Sequence, residues 1–157
     1  MTFQSTPIRV ERLDRSKHGL VASFHDYIVG NRGNLDSRFS EYYPFLSICR
    51  FDEAPMVSPD ILTVGSSAAQ RQLFGDKWAD AITYYKRTPD TSLEENAVIG
   101  YQQAAVEGFF CDLCETVVNL KGEPTYVSFV RHISLVNLKK GGKLFILAAE
   151  LEPRILQ

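Results

Sequence analysis

The alternation of apolar and polar residues is clearest in the last third of the chain, where it predicts three consecutive antiparallel strands between Gly108 and Leu151. Residues 109–119 are β-rich, and a turn that contains glycine and proline separates them from the next run. Residues 125–136 alternate with a period of two. Residues 143–151 are apolar at nearly every position, which predicts a central strand that is covered on both faces.

The alternation in residues 125–136 divides the side chains of that strand between two faces. One face carries Val127, Phe129, Ile133 and Leu135, and the other carries Ser128, His132 and Ser134. Residues 109–118 are apolar on both sides, so the pattern leaves open which of their faces points inward.

Helical periodicity and two short apolar runs precede these strands. A lead helix is predicted over residues 16–28, ended by Gly30 in a left-handed cap. Its apolar stripe could cover the chain's own sheet or pair with the same helix of a second chain. The pattern does not decide between them; the second arrangement would be a homodimer whose interface contains Leu20, Phe24, Tyr27 and Ile28.

The middle of the chain predicts two strands followed by three short helices. The strands are residues 45–49 and Ile61–Val64. Near the N-terminus we expect an extended lead-in or a short docking strand at residues 8–10. Glycine ends the first and third helices, at Gly75 and Gly108. Capping boxes mark where these two helices begin, and they pair Ser67 with Gln70, Thr91 with Glu94, and Ser92 with Glu95.

Length and charge limit the functional classes. A chain of 157 residues fits one domain with a single core, and 45% hydrophobic residues exclude disorder as a default. The net charge of −2 lacks the basic excess of nucleic-acid or anionic-membrane binding. No segment has the length and apolarity of a signal peptide or a spanning helix, so we expect a cytoplasmic protein that binds neither nucleic acid nor membrane.

The order of two strands, a group of short helices and three closing strands resembles a PAS domain, especially a divergent bacterial PAS family with a helical lead. The most specific segment is residues 61–75, which is similar to the strand, helix and Leu-aromatic-Gly passage of that family. Ser66 or Ser67 stands where the family often has asparagine. The resemblance implies an α+β fold in which short helices cover one face of a five-stranded antiparallel sheet, with the lead helix flanking it.

The resemblance also implies a function. Residues 1–34 would form the lead-in and flanking helix, and residues 35–157 the PAS-like domain. Such a domain is a sensory or regulatory module without catalysis of its own, commonly dimeric through its flanking helix. We therefore expect a signalling domain that binds a small organic ligand or a protein partner and forms a homodimer through the lead helix, with population shift as its mechanism.

Aromatic side chains dominate the elements expected to enclose the space between helices and sheet. Aromatic lining with few polar tips is typical of small-molecule pockets and equally of a filled core, so both remain open. Arg131 and His132 are neighbours on one strand; whichever points inward needs a partner such as a ligand carboxylate, and an outward one would be solvated. The predicted ligand-binding residues are Tyr84, Tyr101, Phe109, Cys111, Leu113, Phe129, Arg131 and His132.

The cysteine and histidine residues disfavour two known PAS cofactors and leave the identity of any other cofactor unknown. Cys111 and Cys114 form a C-x-x-C motif, but residues three apart in a strand point to opposite faces, which favours structural cysteines over a redox pair or half a zinc site. No metal site is predicted. The flavin-photoreceptor cysteine motif is absent and residues 92–107 contain no histidine, so covalent flavin and haem are disfavoured.

Two other functional classes stay open. The chain could be a small enzyme or carrier with a cone-shaped α+β fold, in which His132, Asp112 or Glu115 would act as acid or base in a common pocket. It could also be a protein–protein scaffold without a ligand. The identity of a ligand or effector partner does not follow from the residues.

Overall fold

Six antiparallel strands form one sheet in a computed structural model that describes residues 3–152. The strands are β1 (Gln4–Pro7), β2 (Leu46–Arg50), β3 (Ile61–Val64), β4 (Phe109–Leu120), β5 (Glu123–Asn137) and β6 (Lys143–Leu151). Their order in the sheet is β1-β4-β5-β6-β2-β3, and the predicted α+β class is confirmed. Residues 1–2 of the predicted lead-in and residues 153–157 of the predicted domain lie outside the described residues.

The three closing strands are confirmed. A two-residue turn of Lys121 and Gly122, with φ of 52° and 83°, joins β4 to β5, as a right-twisted hairpin requires. Strand β6 lies between β5 and β2 and is central, as its continuous apolar run predicted.

The prediction of five strands was wrong because β1 pairs with β4 and adds a sixth strand at that edge. The expected docking strand at residues 8–10 lies four residues too late, and Val10 instead begins a 3-10 turn over Val10–Arg12. All four residues of β1 are exposed. An exposed edge strand needs no apolar face, so hydrophobic alternation could not reveal it.

Within residues 3–152, six α-helices accompany the sheet, together with a second 3-10 turn over Tyr43–Phe45. They are α1 (Gly19–Gly30), α2 (Phe39–Tyr42), α3 (Ala69–Phe74), α4 (Asp76–Asp80), α5 (Ile82–Tyr85) and α6 (Thr91–Glu107). Gly30 is the last residue of α1 rather than its left-handed cap, and the positive φ values fall on Arg32 and Gly33, at 53° and 78°.

The predicted capping boxes were wrong, although Gly75 and Gly108 end α3 and α6 as expected. Helix α3 begins after Ala68 with no side-chain cap, and the Gln70 oxygen instead accepts a hydrogen bond from Ser47 Oγ at 2.5 Å. The N-cap of α6 is Asp90, whose carboxylate accepts from the Leu93 N–H at 2.8 Å.

Helices cover both faces of the sheet, which corrects the expectation of one covered face. Helix α1 packs against β5 and β6 on one face, where Ile146 and Ala148 of β6 point. Helices α3–α6 cover the other face, where Phe145 and Leu147 point. Residues 127–134 of β5 and 145–148 of β6 are therefore buried on both faces.

The lead helix places its stripe against its own sheet. Phe24, Tyr27 and Ile28 are buried in the core cluster beside β5 and β6, and Leu20 is half-buried. A homodimer through these four predicted interface residues would therefore require α1 to leave the sheet. Within residues 3–152, no helix is long and apolar enough to cross a membrane.

Candidate functional site

A buried ion pair joins the two strands under α6. Arg131 of β5 and Asp112 of β4 are cross-strand partners, and Arg131 Nε and Nη2 donate to the two Asp112 oxygens at 3.0 and 2.7 Å. Asn96 of α6 accepts a second bond from Nη2 at 2.8 Å, and Ser5 of β1 donates to Asp112 at 2.5 Å. Arg131 is 3% exposed and Asp112 is fully buried.

The pair keeps the guanidinium charged in this interior. Burial acts against the charged form of Arg131, but the hydrogen bonds to Asp112 and the charge of that carboxylate outweigh it and raise the Arg131 pKa. A bidentate arginine–carboxylate pair also fixes the plane of the guanidinium. Its orientation is therefore set by β4 and not by solvent.

The third guanidinium nitrogen, Nη1, is left without a hydrogen-bond partner in the described part of the chain. The three nitrogens of a guanidinium lie at 120° around the central carbon. Because the edge formed by Nε and Nη2 faces Asp112, Nη1 points directly away from Asp112 and hence away from β4. On the β6 side of β5, Arg131 lines a common space with Leu147 and Ala149 of β6.

This space is a partly enclosed cavity of about 40 Å³ between α3, α6 and the strands β5 and β6. Its lining is mainly apolar and has four polar side chains, Gln70, Glu94, Tyr101 and Arg131. The apolar lining includes Ile61, Leu73, Leu93, Phe129, Leu147 and Leu151. We call this space the inner cavity.

The other polar groups of the inner cavity have partners within the chain. The two oxygens of Glu94 accept from the Thr88 N–H at 2.7 Å and from Ser58 Oγ. The Tyr101 hydroxyl lies 3.4 Å from Cys49 Sγ, and burial raises the pKa of Tyr101 well above its usual value. The hydroxyl therefore stays protonated.

A larger cleft of about 740 Å³ lies on the opposite side of α6, between that helix and the N-terminal segment. Phe3, Ile99 and Phe110 contribute apolar walls, and the Arg131–Asp112 pair lines its floor. The pair therefore separates this open cleft from the inner cavity.

The opposite face of the sheet carries a buried histidine pair. His25 Nδ1 of α1 and His132 Nε2 of β5 are 3.0 Å apart, with the Phe109 ring stacked parallel to His132. Burial first, and then the neighbouring His25, lower the pKa of His132 to about 3. Burial also lowers the pKa of His25. Two neutral imidazoles can share this hydrogen bond, whereas two imidazoliums cannot.

The eight predicted ligand-binding residues are not brought together. Tyr101, Phe129 and Arg131 line the inner cavity, whereas Phe109 and Cys111 line the open cleft. Leu113 and His132 lie on the α1 face, and Tyr84 is 80% exposed on α5. Arg131 lines both spaces, and neither space is lined by more than three of the eight.

The sequence reasoning missed Asn96, Gln70 and Glu94 as members of the site. Asn96 follows the two glutamates of the predicted capping boxes, and nothing in a helix pattern marks it as an arginine partner. The sequence predicts that Gln70 and Glu94 cap their helices. A glutamine or glutamate in the first turn fits the capping-box pattern equally well when its side chain instead faces the protein interior.

The common pocket expected for the enzyme alternative does not form. His132 lies under α1 on one face of the sheet and Asp112 lies under α6 on the other, so the sheet separates them. Glu115 is exposed. The geometry therefore offers no joint acid and base from these residues.

The cysteines are buried on opposite faces, as the strand period predicted. Cys111 belongs to the core cluster beside α1, and Cys114 to the one beside α3 and α6. Burial raises the pKa of Cys111 and Cys49 to about 12 and also raises that of Cys114. Across residues 3–152, no group of three or more His, Cys, Asp or Glu side chains is arranged to hold a metal ion.

Comparison with family models, with curated proteins and with solved structures found no match for this chain.

Proposed function

We propose that this chain is a PAS-like sensory or regulatory domain that binds a small organic ligand in the inner cavity. The observation that carries the proposal is the cavity itself, a partly enclosed and mainly apolar space between the short helices and the sheet with charged side chains in its wall. A ligand pocket of a sensor needs both, because apolar walls supply affinity and a fixed polar group orients the ligand.

The order of elements supports the PAS-like assignment. Strands β2 and β3, the short helices α3–α5, helix α6 and the closing strands β4–β6 follow one another as the resemblance describes. Strand β1 and the packing of α1 on the second face are additions to that plan.

The mechanism is a population shift. A cavity of about 40 Å³ holds little more than a water molecule, so an organic ligand requires the covering helices to move. Helices α3, α4 and α5 contain six, five and four residues, and helices this short depend on packing for their stability. They form the element that a ligand would displace.

The output passes through α1. Residues of β5 face the inner cavity and α1 alternately, as Arg131 and His132 do. A change beneath α6 therefore reaches the strand on which α1 rests. Release of α1 would expose Phe24, Tyr27 and Ile28, which we propose as the surface for a second copy or a signalling partner.

Native mass spectrometry of the purified protein, compared with the denatured sample, tests the proposal. We expect added mass on the native species and its loss in Ala149→Val, which narrows the cavity beside Arg131. Val106→Leu, on the exposed side of α6, is the matched control and should keep the added mass. Equal ligand retention by both variants would place the ligand elsewhere and refute the proposal.

A further inference from the structure

Two side chains of the inner-cavity lining, Arg131 and Gln70, carry N–H groups that a ligand would meet when the covering helices move. Arg131 Nη1 carries two N–H groups, points away from Asp112 and has no acceptor within residues 3–152. The Gln70 oxygen is engaged by Ser47, which leaves the amide nitrogen of that side chain as a donor. A buried donor without an acceptor is costly, and a charged one is the most costly. The cavity wall is therefore complementary to an acceptor.

The charges around the cavity decide which kind of acceptor fits. Arg131 is already neutralised by Asp112, through two hydrogen bonds in a fully buried pair. Glu94 places a second carboxylate in the cavity wall. An anionic ligand would thus bring a third negative charge to a site that has one positive charge. Carboxylates that share a buried site repel one another.

We infer that the inner cavity binds a neutral, mostly apolar molecule that presents a carbonyl-type oxygen, such as that of an amide, to Arg131 Nη1. The inference rests on the proposed function, since it names the ligand class for the same cavity. Such an oxygen accepts the unpaired N–H groups without adding charge. The apolar remainder of the molecule lies against Leu73, Leu93 and Leu147 when the short helices move outward.

Paired probes of the same skeleton test the inference directly. Benzamide and benzoate differ in the charge of the acceptor group, as do butanamide and butanoate. Isothermal titration calorimetry at pH 7.5 should give a dissociation constant at least about tenfold lower for each amide than for its acid. A tenfold ratio corresponds to the net free energy of one hydrogen bond that forms without charge repulsion.

Two variants assign the preference to Arg131. Arg131→Lys keeps a positive charge for Asp112 but has no second amino group directed into the cavity, so the amide preference should disappear. If this variant fails to fold, Arg131→Met combined with Asp112→Leu removes the pair without leaving a lone buried charge, and the amide should again bind no better than the acid. Val106→Leu should retain the wild-type preference.

The outcomes separate this inference from the proposed function. Tighter binding of the acids, or equal binding of both members of a pair, overturns the neutral-acceptor inference and leaves the cavity as a ligand site. An amide preference that survives in both Arg131 variants also overturns it. If no probe binds and the native protein carries no added mass, the inference and the proposed function both fail.

Discussion

Acidification should destabilise this fold through His132. This side chain is fully buried on β5, its Nε2 lies 3.0 Å from His25 Nδ1, and its pKa is lowered from 6.5 to about 3. Two aromatic rings, those of Phe24 and Phe109, pack around the imidazole and leave little room for water. The unfolded chain therefore binds a proton at a pH where the folded chain excludes it.

The sign and size of the effect follow from linkage. A histidine whose pKa is depressed on folding stabilises the protein fully above the unfolded value of 6.5, and this stability is lost as the pH falls toward 3. At 1.36 kcal/mol per pH unit, the complete loss is about 5 kcal/mol. Between pH 7.5 and pH 5 the expected loss from His132 is about 2 kcal/mol, with the lowered His25 pKa acting in the same direction.

Urea denaturation at pH 7.5 and pH 5, followed by the fluorescence of the buried Trp78, measures this loss. His132→Gln keeps a polar group near the Nε2 position and removes the titrating imidazole. The loss of unfolding free energy between pH 7.5 and pH 5 should therefore be about 2 kcal/mol smaller in this variant than in the wild type. Glu150, which accepts a hydrogen bond from the Val21 N–H at 2.6 Å, is present in both proteins. Its contribution to the pH dependence of stability therefore cancels when the two proteins are compared. An unchanged pH dependence in His132→Gln would refute the reasoning.

Three further comparisons between variants test packing and polar contacts by urea denaturation. Arg131→Met should lower the free energy of unfolding by about 3–5 kcal/mol because Asp112 is left as an unpaired buried charge. Adding Asp112→Leu should restore most of this stability, and a double variant as unstable as the single one would contradict the reasoning. Gly100→Ala places a Cβ 2.8 Å from Ile133 Cδ1 and 2.9 Å from Phe110 Cδ1, and should cost about 1–3 kcal/mol. Gly30→Ala, a helical glycine with open space, should be neutral or stabilising, and equal effects of the two changes would argue against close packing of α6. Asp90→Ala should cost about 1 kcal/mol by removing the cap of α6, whereas Thr91→Ala should cost little; the reverse order would favour the capping box predicted from the sequence.

The sequence predicted the strands whose apolar period is long and whose turns contain glycine. In β5 the alternation assigned Phe129 and Ile133 to one face and His132 to the other, which the structure confirms. The continuous apolar run of residues 143–151 placed β6 at the centre of the sheet. In each case the pattern reports on burial directly, because every second residue meets the same surroundings.

What covers each face could not be predicted from local pattern. The stripe of α1 was compatible with its own sheet or with a second chain, and only the tertiary packing places Phe24 on the sheet. Because α1 covers the second face, both Arg131 and His132 are buried, although a single covered face would have left one of them in solvent. The partners of these residues, Asp112 and His25, are 19 and 107 positions away along the chain.

Movement of α1 can be followed through the same histidine that makes the fold sensitive to acid. The pKa of His132 is low because α1 shields it and brings His25 within 3.0 Å. If benzamide enters the inner cavity and loosens α1, water reaches the imidazole and the pKa of His132 should rise toward 6.5. NMR titration of the histidine ring protons, with and without benzamide, measures this rise. Ala149→Val should suppress it. An unchanged His132 titration in protein saturated with benzamide would exclude α1 as the route by which the ligand acts.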